Sequence, residues 1–347
     1  MPGRRGQAYA KVCSDLDQLM QRLPDMMITL GVVMDPIGTI QPKKDTTLGL
    51  LRAAQRRGWQ LRYLELADLQ MRDGVAFARS RALTVTDSNA AWYTLDDASE
   101  DLRPLAELDV VLMRKDPPFD TEYIFATYLL ERAQAAGCLV INDPRALRDA
   151  NEKLFTAWFP QCCAPTLVAR RKADFRAFIA NHGDAVIKPL DGMGGASIFR
   201  IRAGDPNTSV ILETLTEHER RFAMMQRFLP EIADGDKRIL LIDGEPVPYA
   251  LARIPAAGEL RGNLAAGGHG EGRALTDRDR WICAEVGPEL KARGLVFVGL
   301  DVIGDYLTEI NVTSPTCLRE LEAEYGLPIA DQVIDAIARR LGARGCS

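Results

Sequence analysis

The sequence predicts a mixed fold, a parallel α/β layer followed by an α+β half built on antiparallel sheets. Three observations carry that expectation. Short apolar runs alternate with helix-period stretches up to about residue 143. Beyond about Asn151 the strand-like runs follow one another more directly. An Asp-Gly pair, Asp243-Gly244, then sits between two alternating runs, which is a strong hairpin signal.

Residues 28–34, ITLGVVM, form an apolar run stopped by Asp35-Pro36 and read as a buried strand. A helix is expected from about Thr46 to Arg57, closed by Gly58, and QLRYLEL supplies the next strand. DVVLM (109–113) and CLVIN (138–142) are further buried strands, separated by a helix from Thr121 to Ala136 that Gly137 stops. EKLFTAWF reads as a helix, followed by the strand TLVAR, a helix to about Ala180 and the strand AVIKP. ASIFRIR, FAMMQRFL, KRILLIDG and PVPYALARI read as strands. Residues 254–272 are Gly/Ala-rich without a periodic apolar face, and too long for a turn, so a mobile functional loop is expected there.

At 347 residues the chain is long for one core. Its 47% apolar and 26% charged content are ordinary globular values and do not indicate disorder. A net charge of −5 gives no reason to expect nucleic acid or an anionic membrane as partner. No apolar run approaches the roughly 20 residues of a membrane helix. Residues 1–26 lack the apolar core of a secretory signal, and Asp15, Asp17 and Asp25 oppose a transit peptide. Seven cysteines without a C-x-x-C pair point to reduced thiols in a cytoplasm. The three histidines, His182, His218 and His269, are too scattered for zinc or a Ser-His-Asp triad, so any metal should be a hard ion on oxygen ligands.

Two segments carry chemistry. In AVIKPLDGMGGASIFRI, Lys188 ends an apolar strand and runs into a loop containing Gly192, Gly194 and Gly195. Glycines let successive backbone N–H groups close on an anion, and the lysine adds charge at phosphates. The loop is neither a Walker A sequence nor G-x-G-x-x-G, since Ser197 holds the sixth position. A glycine-rich hairpin with a surface lysine is the plain alternative. In LVFVGLDVIGDYLTEINVTSPT, Glu309 and Asn311 are two apart and share a strand face. Asp301 joins that face only if the connection has an odd number of residues, such as Ile303-Gly304-Asp305; a two-residue turn puts it on the other side. Three oxygen ligands there would suit Mg²⁺ bridging nucleotide phosphates, and a half-exposed polar strand is the alternative. Arg114, Lys115, Arg238 and Arg253 lie at the ends of apolar segments, where they suit clamps on phosphate or carboxylate. A phosphate nest, an acidic face, cationic clamps and no histidine base together point to phosphoryl transfer.

The strings LMRKDPPFDTEYIFATYLLERA, LRDANEKLFTAWF, IKPLDGMGGASIFRI, DGDKRIL, LARIPAAGELRGNLAAGG and GLDVIGDYLTEINVTSPTC closely resemble the bacterial glutathione synthetases, a family of ATP-grasp ligases. The resemblance runs from about Ile28 to the C-terminal helix. It implies an ATP-grasp fold preceded by a substrate-binding α/β domain. The division expected is an extension 1–26, that domain at 27–148, a central lobe 149–225 and a C-terminal lobe 226–347. The implied reaction ligates γ-glutamylcysteine to glycine with ATP as co-substrate, through an acyl phosphate, on Mg²⁺ with Mn²⁺ as the other ion, in a cytoplasmic homotetramer. By motif, Lys153, Lys188 and loop 190–197 hold the phosphates, Gln226 to Leu229 the adenine, and Asp236 the ribose. Asp301, Glu309 and Asn311 would hold metal, Arg238 and Arg253 the developing charge, and Arg114, Asp116, Thr313 and Ser314 the peptide. Residues 254–270 would close over the intermediate to exclude water.

Three features depart from the family pattern: residues 1–26, the hinge QRFLP and His269 in the closing loop. Two other readings remain open on the sequence. Another ATP-grasp carboxylate–amine ligase would differ at Arg114 and the TSPT segment. A non-catalytic ATP-binding protein would have no need to keep Lys188, Arg238, Glu309 and Asn311 together.

Overall fold

The computed structural model describes residues 27–192, 194–256, 258–259, 262 and 267–344. The extension 1–26 and part of the expected closing loop lie outside these residues.

The first sheet is built on β1 (Thr29–Val33), β2 (Gln60–Leu64), β6 (Val110–Met113) and β7 (Leu139–Ile141), all parallel in the order β2-β1-β6-β7. The apolar runs of β6 and β7 follow from burial on both faces, whereas β2 carries Gln60 and the buried Arg62. Crossover helices α1 (Thr46–Arg56) and α2 (Thr121–Ala135) start where Asp45 and Asp120 accept hydrogen bonds from Leu48 N and Tyr123 N. The sheet is not purely parallel. β3 (Leu69–Arg72), β4 (Val75–Val85) and β5 (Tyr93–Pro104) extend it as an antiparallel meander through the β2–β4 pair. Asp143 caps the short α3 (Pro144–Asp149), which leads out of this layer.

EKLFTAWF forms a 3₁₀ turn over Leu154–Trp158 rather than an α-helix. Asn151 Oδ1 accepts from both Lys153 N and Leu154 N, which tightens the turn, and Pro160 follows. The second sheet, in the order β10-β9-β11-β8, joins β8 (Thr166–Ala169), β9 (Asp184–Pro189), β10 (Phe199–Arg202) and β11 (Ala223–Arg227) antiparallel. Helices α4 (Lys172–His182) and α5 (Thr208–Leu215) cover it around Phe175, Ile179 and Leu212. β11 spans the position of the expected lobe boundary at 225/226.

The third sheet runs β14 (His269–Ala274), β13 (Glu245–Ile254), β12 (Asp236–Ile242), β15 (Phe297–Ile303) and β16 (Tyr306–Asn311). β12 and β13 turn on Asp243-Gly244, with φ of 53° and 89°, the two left-handed residues that an Asp-Gly hairpin supplies. Helix α6 (Asp277–Ala292) packs on this sheet, while α7 (Leu318–Tyr325) and α8 (Ile329–Arg344) return to α1. Leu318, Ile334 and Ile337 share one core with Leu48 and Leu51, so the last helices belong physically to the first layer. The buried Asn142 amide donates to the carbonyls of Phe297 and Val312 and accepts from Val296 N and Phe297 N, tying the end of β7 to β15. No helix among the described residues is long and apolar enough to cross a membrane.

Candidate functional site

A cleft of about 460 Å³ has walls from the second and third sheets, a size that suits a nucleotide. Lys153, Lys188, Gly192, Gly194, Gly195 and Ser197 line one part of it. Gln226, Leu229, Asp236, Asp301 and Glu309 line another, with Val186, Ile232 and Leu307 supplying apolar surface. Gly194, Gly195 and Ser197 all have positive φ, the local conformation that turns successive N–H groups toward one side.

The acidic face owes its geometry to a bulge. Gly304-Asp305 is a two-residue turn with Ile303 opposite Tyr306, which by parity alone would set Asp301 against Thr308. The register shifts after Asp301, so Asp301 pairs with Glu309 instead. Thr308 is the extra residue, and its hydroxyl donates to the Asp301 carbonyl at 3.0 Å. The expected odd-numbered loop is therefore absent, and a bulge in the strand sets Asp301 against Glu309 in its place. Asn311 Nδ2 donates to Asp301 Oδ2 at 3.2 Å, bringing the three expected oxygen-bearing side chains together.

Cross-strand register also assembles the cations. Asp236 stands opposite Arg253, and Arg238 opposite Asp301. The Arg238 guanidinium clasps the Asp301 carboxylate through Nε and Nη2, while Arg253 Nη2 reaches Asp301 Oδ2 at 2.9 Å and also pairs with Asp236. Gly299 makes room for this clasp, since a Cβ there would lie 2.7 Å from Arg238 Cδ. Arg238, Arg253 and Asn311 therefore brace Asp301 from behind.

The electrostatics follow from burial and pairing. Burial opposes ionisation of Asp301, yet Arg238 and Arg253 hold its carboxyl well below the usual range. At Asp236 burial wins over Arg253, and with Asp301 and Glu309 nearby the carboxyl is pushed up to about 7. Asp236 Oδ1 is buried and has no hydrogen-bond partner among the described residues. Burial pulls the Lys188 ammonium down, against the attraction of Glu309 at 3.8 Å. Lys153 stands 3.4 Å from Glu309, donates to Gly192 O at 2.6 Å and pairs with Glu152. Desolvation opposes its charge, but Glu309 and Glu152 raise its affinity for the proton. Glu152 escaped the sequence reading, although it immediately precedes Lys153. Burial, the approach to Glu309 and the pair with Lys153 distinguish it from a surface carboxylate.

The expected peptide residues gather elsewhere. Arg114 is buried at the end of β6, donating from Nε to Thr47 Oγ1 at 3.0 Å and from Nη2 to Pro315 O at 3.1 Å. Ser314 Oγ donates to Arg114 O at 3.3 Å. Thr313 lines a small pocket with Asn151 and Glu152, and Asp116 is exposed with its N–H on Asp35. Pro315 links this group to the cleft floor, because it and Arg238 both crowd the vacant Cβ position of Gly299. His269, which departs from the family pattern, is an exposed residue at the start of β14, opposite Ile254.

Residues 28–148 match the model for the N-terminal domain of prokaryotic glutathione synthetase, and residues 152–326 that for its ATP-grasp domain. The chain is 61% identical over 319 residues to glutathione synthetase of Pseudomonas aeruginosa, covering 92% of this chain and 100% of that one. It is 60% identical over 315 residues to glutathione synthetase of Escherichia coli O127:H6, covering 91% and 99%. Among solved structures, D-cycloserine synthetase DcsG aligns with a TM-score of 0.63 at 17% identity, over 90% of this chain and 99% of that one. D-alanyl-alanine synthetase A from Vibrio cholerae aligns with a TM-score of 0.56 at 13% identity, over 91% and 99%. At such low identity these two structures speak to the fold alone.

Proposed function

The chain belongs to the prokaryotic glutathione synthetase family, and from that membership we propose that it joins γ-glutamylcysteine to glycine with ATP, giving glutathione, ADP and phosphate. The observation that carries this reading is one cleft where two buried lysines and a glycine nest face a register-built acidic pair. In this reading the cysteinyl carboxylate attacks the γ-phosphorus of ATP and ADP leaves. The glycine amine then attacks the acyl carbon of the resulting acyl phosphate, phosphate departs, and the amine gives up a proton.

Lys153 and Lys188 neutralise the triphosphate, for which Glu309 is the resident stand-in anion. Asp236 Oδ1, unpartnered among the described residues, accepts from a ribose hydroxyl. Arg238 and Arg253 fix Asp301 and lend positive potential where charge develops. Asp301, Glu309 and Asn311 offer only oxygen donors from neighbouring strands, a set that fits Mg²⁺ or Mn²⁺, and the bound ion would offset phosphate charge. Arg114, held rigid by Thr47 and Pro315, receives the peptide together with Ser314. The homotetramer is carried with this proposal, and sedimentation of the purified chain tests it.

Purified protein with Mg²⁺ should release ADP only when γ-glutamylcysteine and glycine are both present. Absence of coupled release overturns the reading. Release with a different amine or peptide assigns the chain to another carboxylate–amine ligation.

A further inference from the structure

The apolar part of the cleft ends on Gln226, which is 7% exposed and stands in cross-strand register with Thr166 of β8. A side-chain amide has two orientations of nearly equal shape, one presenting a donor and the other an acceptor. Here the neighbours decide between them. The Thr166 hydroxyl donates its single proton to the Ala164 carbonyl at 2.8 Å. Thr166 Oγ1 can then only accept, and it accepts from Gln226 Nε2 at 3.0 Å. With the amide reversed, Gln226 Oε1 would face an oxygen that has no proton left to give. The relay from Ala164 through Thr166 therefore leaves Gln226 Oε1, which makes no hydrogen bond among the described residues, as an acceptor at the cleft wall.

We infer that Thr166 is a positioning residue for nucleotide choice: by locking the Gln226 amide it presents an acceptor that selects a 6-amino purine. Adenine offers an exocyclic N–H₂ to such an acceptor, whereas guanine presents a carbonyl oxygen, so two acceptors would oppose each other. Val186, Gln226's register partner on the other side, is apolar and offers the amide no competing hydrogen bond. The inference rests on the proposed function, since it takes the cleft to hold the ATP of that reaction, but it assigns a role to a threonine whose side chain need not touch the nucleotide.

The test compares the unaltered enzyme with Thr166→Val and Thr166→Ser. Phosphate release is measured with ATP, GTP and purine riboside triphosphate, which lacks the 6-amino group, each with γ-glutamylcysteine and glycine. The unaltered enzyme should favour ATP over purine riboside triphosphate in kcat/KM by about five- to tenfold, the worth of one hydrogen bond. Thr166→Val should shrink that preference to about twofold and raise relative use of GTP, while Thr166→Ser keeps the original ratio. A valine variant retaining the full preference, or an unaltered enzyme with none, overturns the inference. If the unaltered enzyme shows no ligation at all, the proposed function fails instead. The same ratio is then read from thermal shifts produced by ATP and by purine riboside triphosphate alone, on all three proteins. Should the valine variant not fold, the serine variant and the substrate series on the unaltered enzyme still decide the matter.

Discussion

Replacing Asp301 with asparagine tests the electrostatic core of the site. The carboxylate is 2% exposed and receives Arg238 Nε and Nη2, Arg253 Nη2 and Asn311 Nδ2. An amide keeps the shape but offers one acceptor oxygen, and its N–H₂ would face a guanidinium. Arg253 retains Asp236, whereas Arg238, itself 6% exposed, has no other carboxylate among its ion pairs with described residues. Removing one partner of such a buried pair costs about 3–5 kcal/mol, because the other charge stays behind unpaired. With an unfolding entropy near 2.1 cal/mol/K per residue, cooperative melting of the whole chain converts that cost into a fall of about 4–7 °C in Tm. Thermal denaturation by circular dichroism measures it, and coupled ADP release should fall at least about 100-fold in parallel. The double variant Arg238→Met/Asp301→Leu should regain at least half of the lost stability and none of the activity, since it buries no orphan charge. An Asp301→Asn protein melting within about 1 °C of the original would refute the argument, because the pair would then carry no net stabilisation.

Glu309→Gln should lower kcat about 100-fold or more while leaving the far-ultraviolet spectrum unchanged, as its side chain is 21% exposed; near-normal turnover would remove it from the phosphate and metal face. Arg114→Lys cannot reproduce both the Nε bond to Thr47 and the Nη2 bond to Pro315, so the KM for γ-glutamylcysteine should rise about tenfold with little change for ATP. Equal effects on both KM values would count against a role confined to the peptide. Asp236 gives a pH signature: its folded pKa, pushed up to about 7 chiefly by burial, exceeds the unfolded value near 3.9. Its contribution to stability is therefore whole below about pH 4 and lost as pH rises through about 7, and Asp236→Asn should flatten that slope in denaturant titrations. A slope identical in both proteins would place the titration elsewhere.

The elements that sequence reading recovered are those whose signals are local. Asp243-Gly244 demanded two left-handed residues, and the chain turns there in two. Lys188 ends an apolar strand before a glycine-rich loop, and both line the cleft. The meander of β3 to β5 was less legible because much of it is half-exposed; β5 in particular, with its run of acidic residues, does not alternate cleanly between apolar and polar. EKLFTAWF has helical composition, but the Asn151 side chain captures two backbone donors and tightens it. The return of α7 and α8 to the first layer depends on contacts about 275 residues apart along the chain, such as Arg56 with Asp331.

The acidic face shows where local reading stops. Strand parity made Asp301 conditional on loop length, and the two-residue turn fails that condition, yet Asp301 still reaches Glu309. What intervenes is a single inserted residue, Thr308, with no turn-forming composition and an ordinary strand propensity. Its value lies in the partner strand, because only a bulge opposite Asp301 sets that carboxylate against Glu309 while keeping it within the grip of Arg238 on β12. The same bulge exposes the Thr308 carbonyl to Lys188 Nζ at 3.4 Å, so one irregularity orients both signs of charge in the cleft. Sequence identifies which residues have suitable chemistry; the pairing of three strands decides that Asp301 is held by arginines and Glu309 is left facing the lysines.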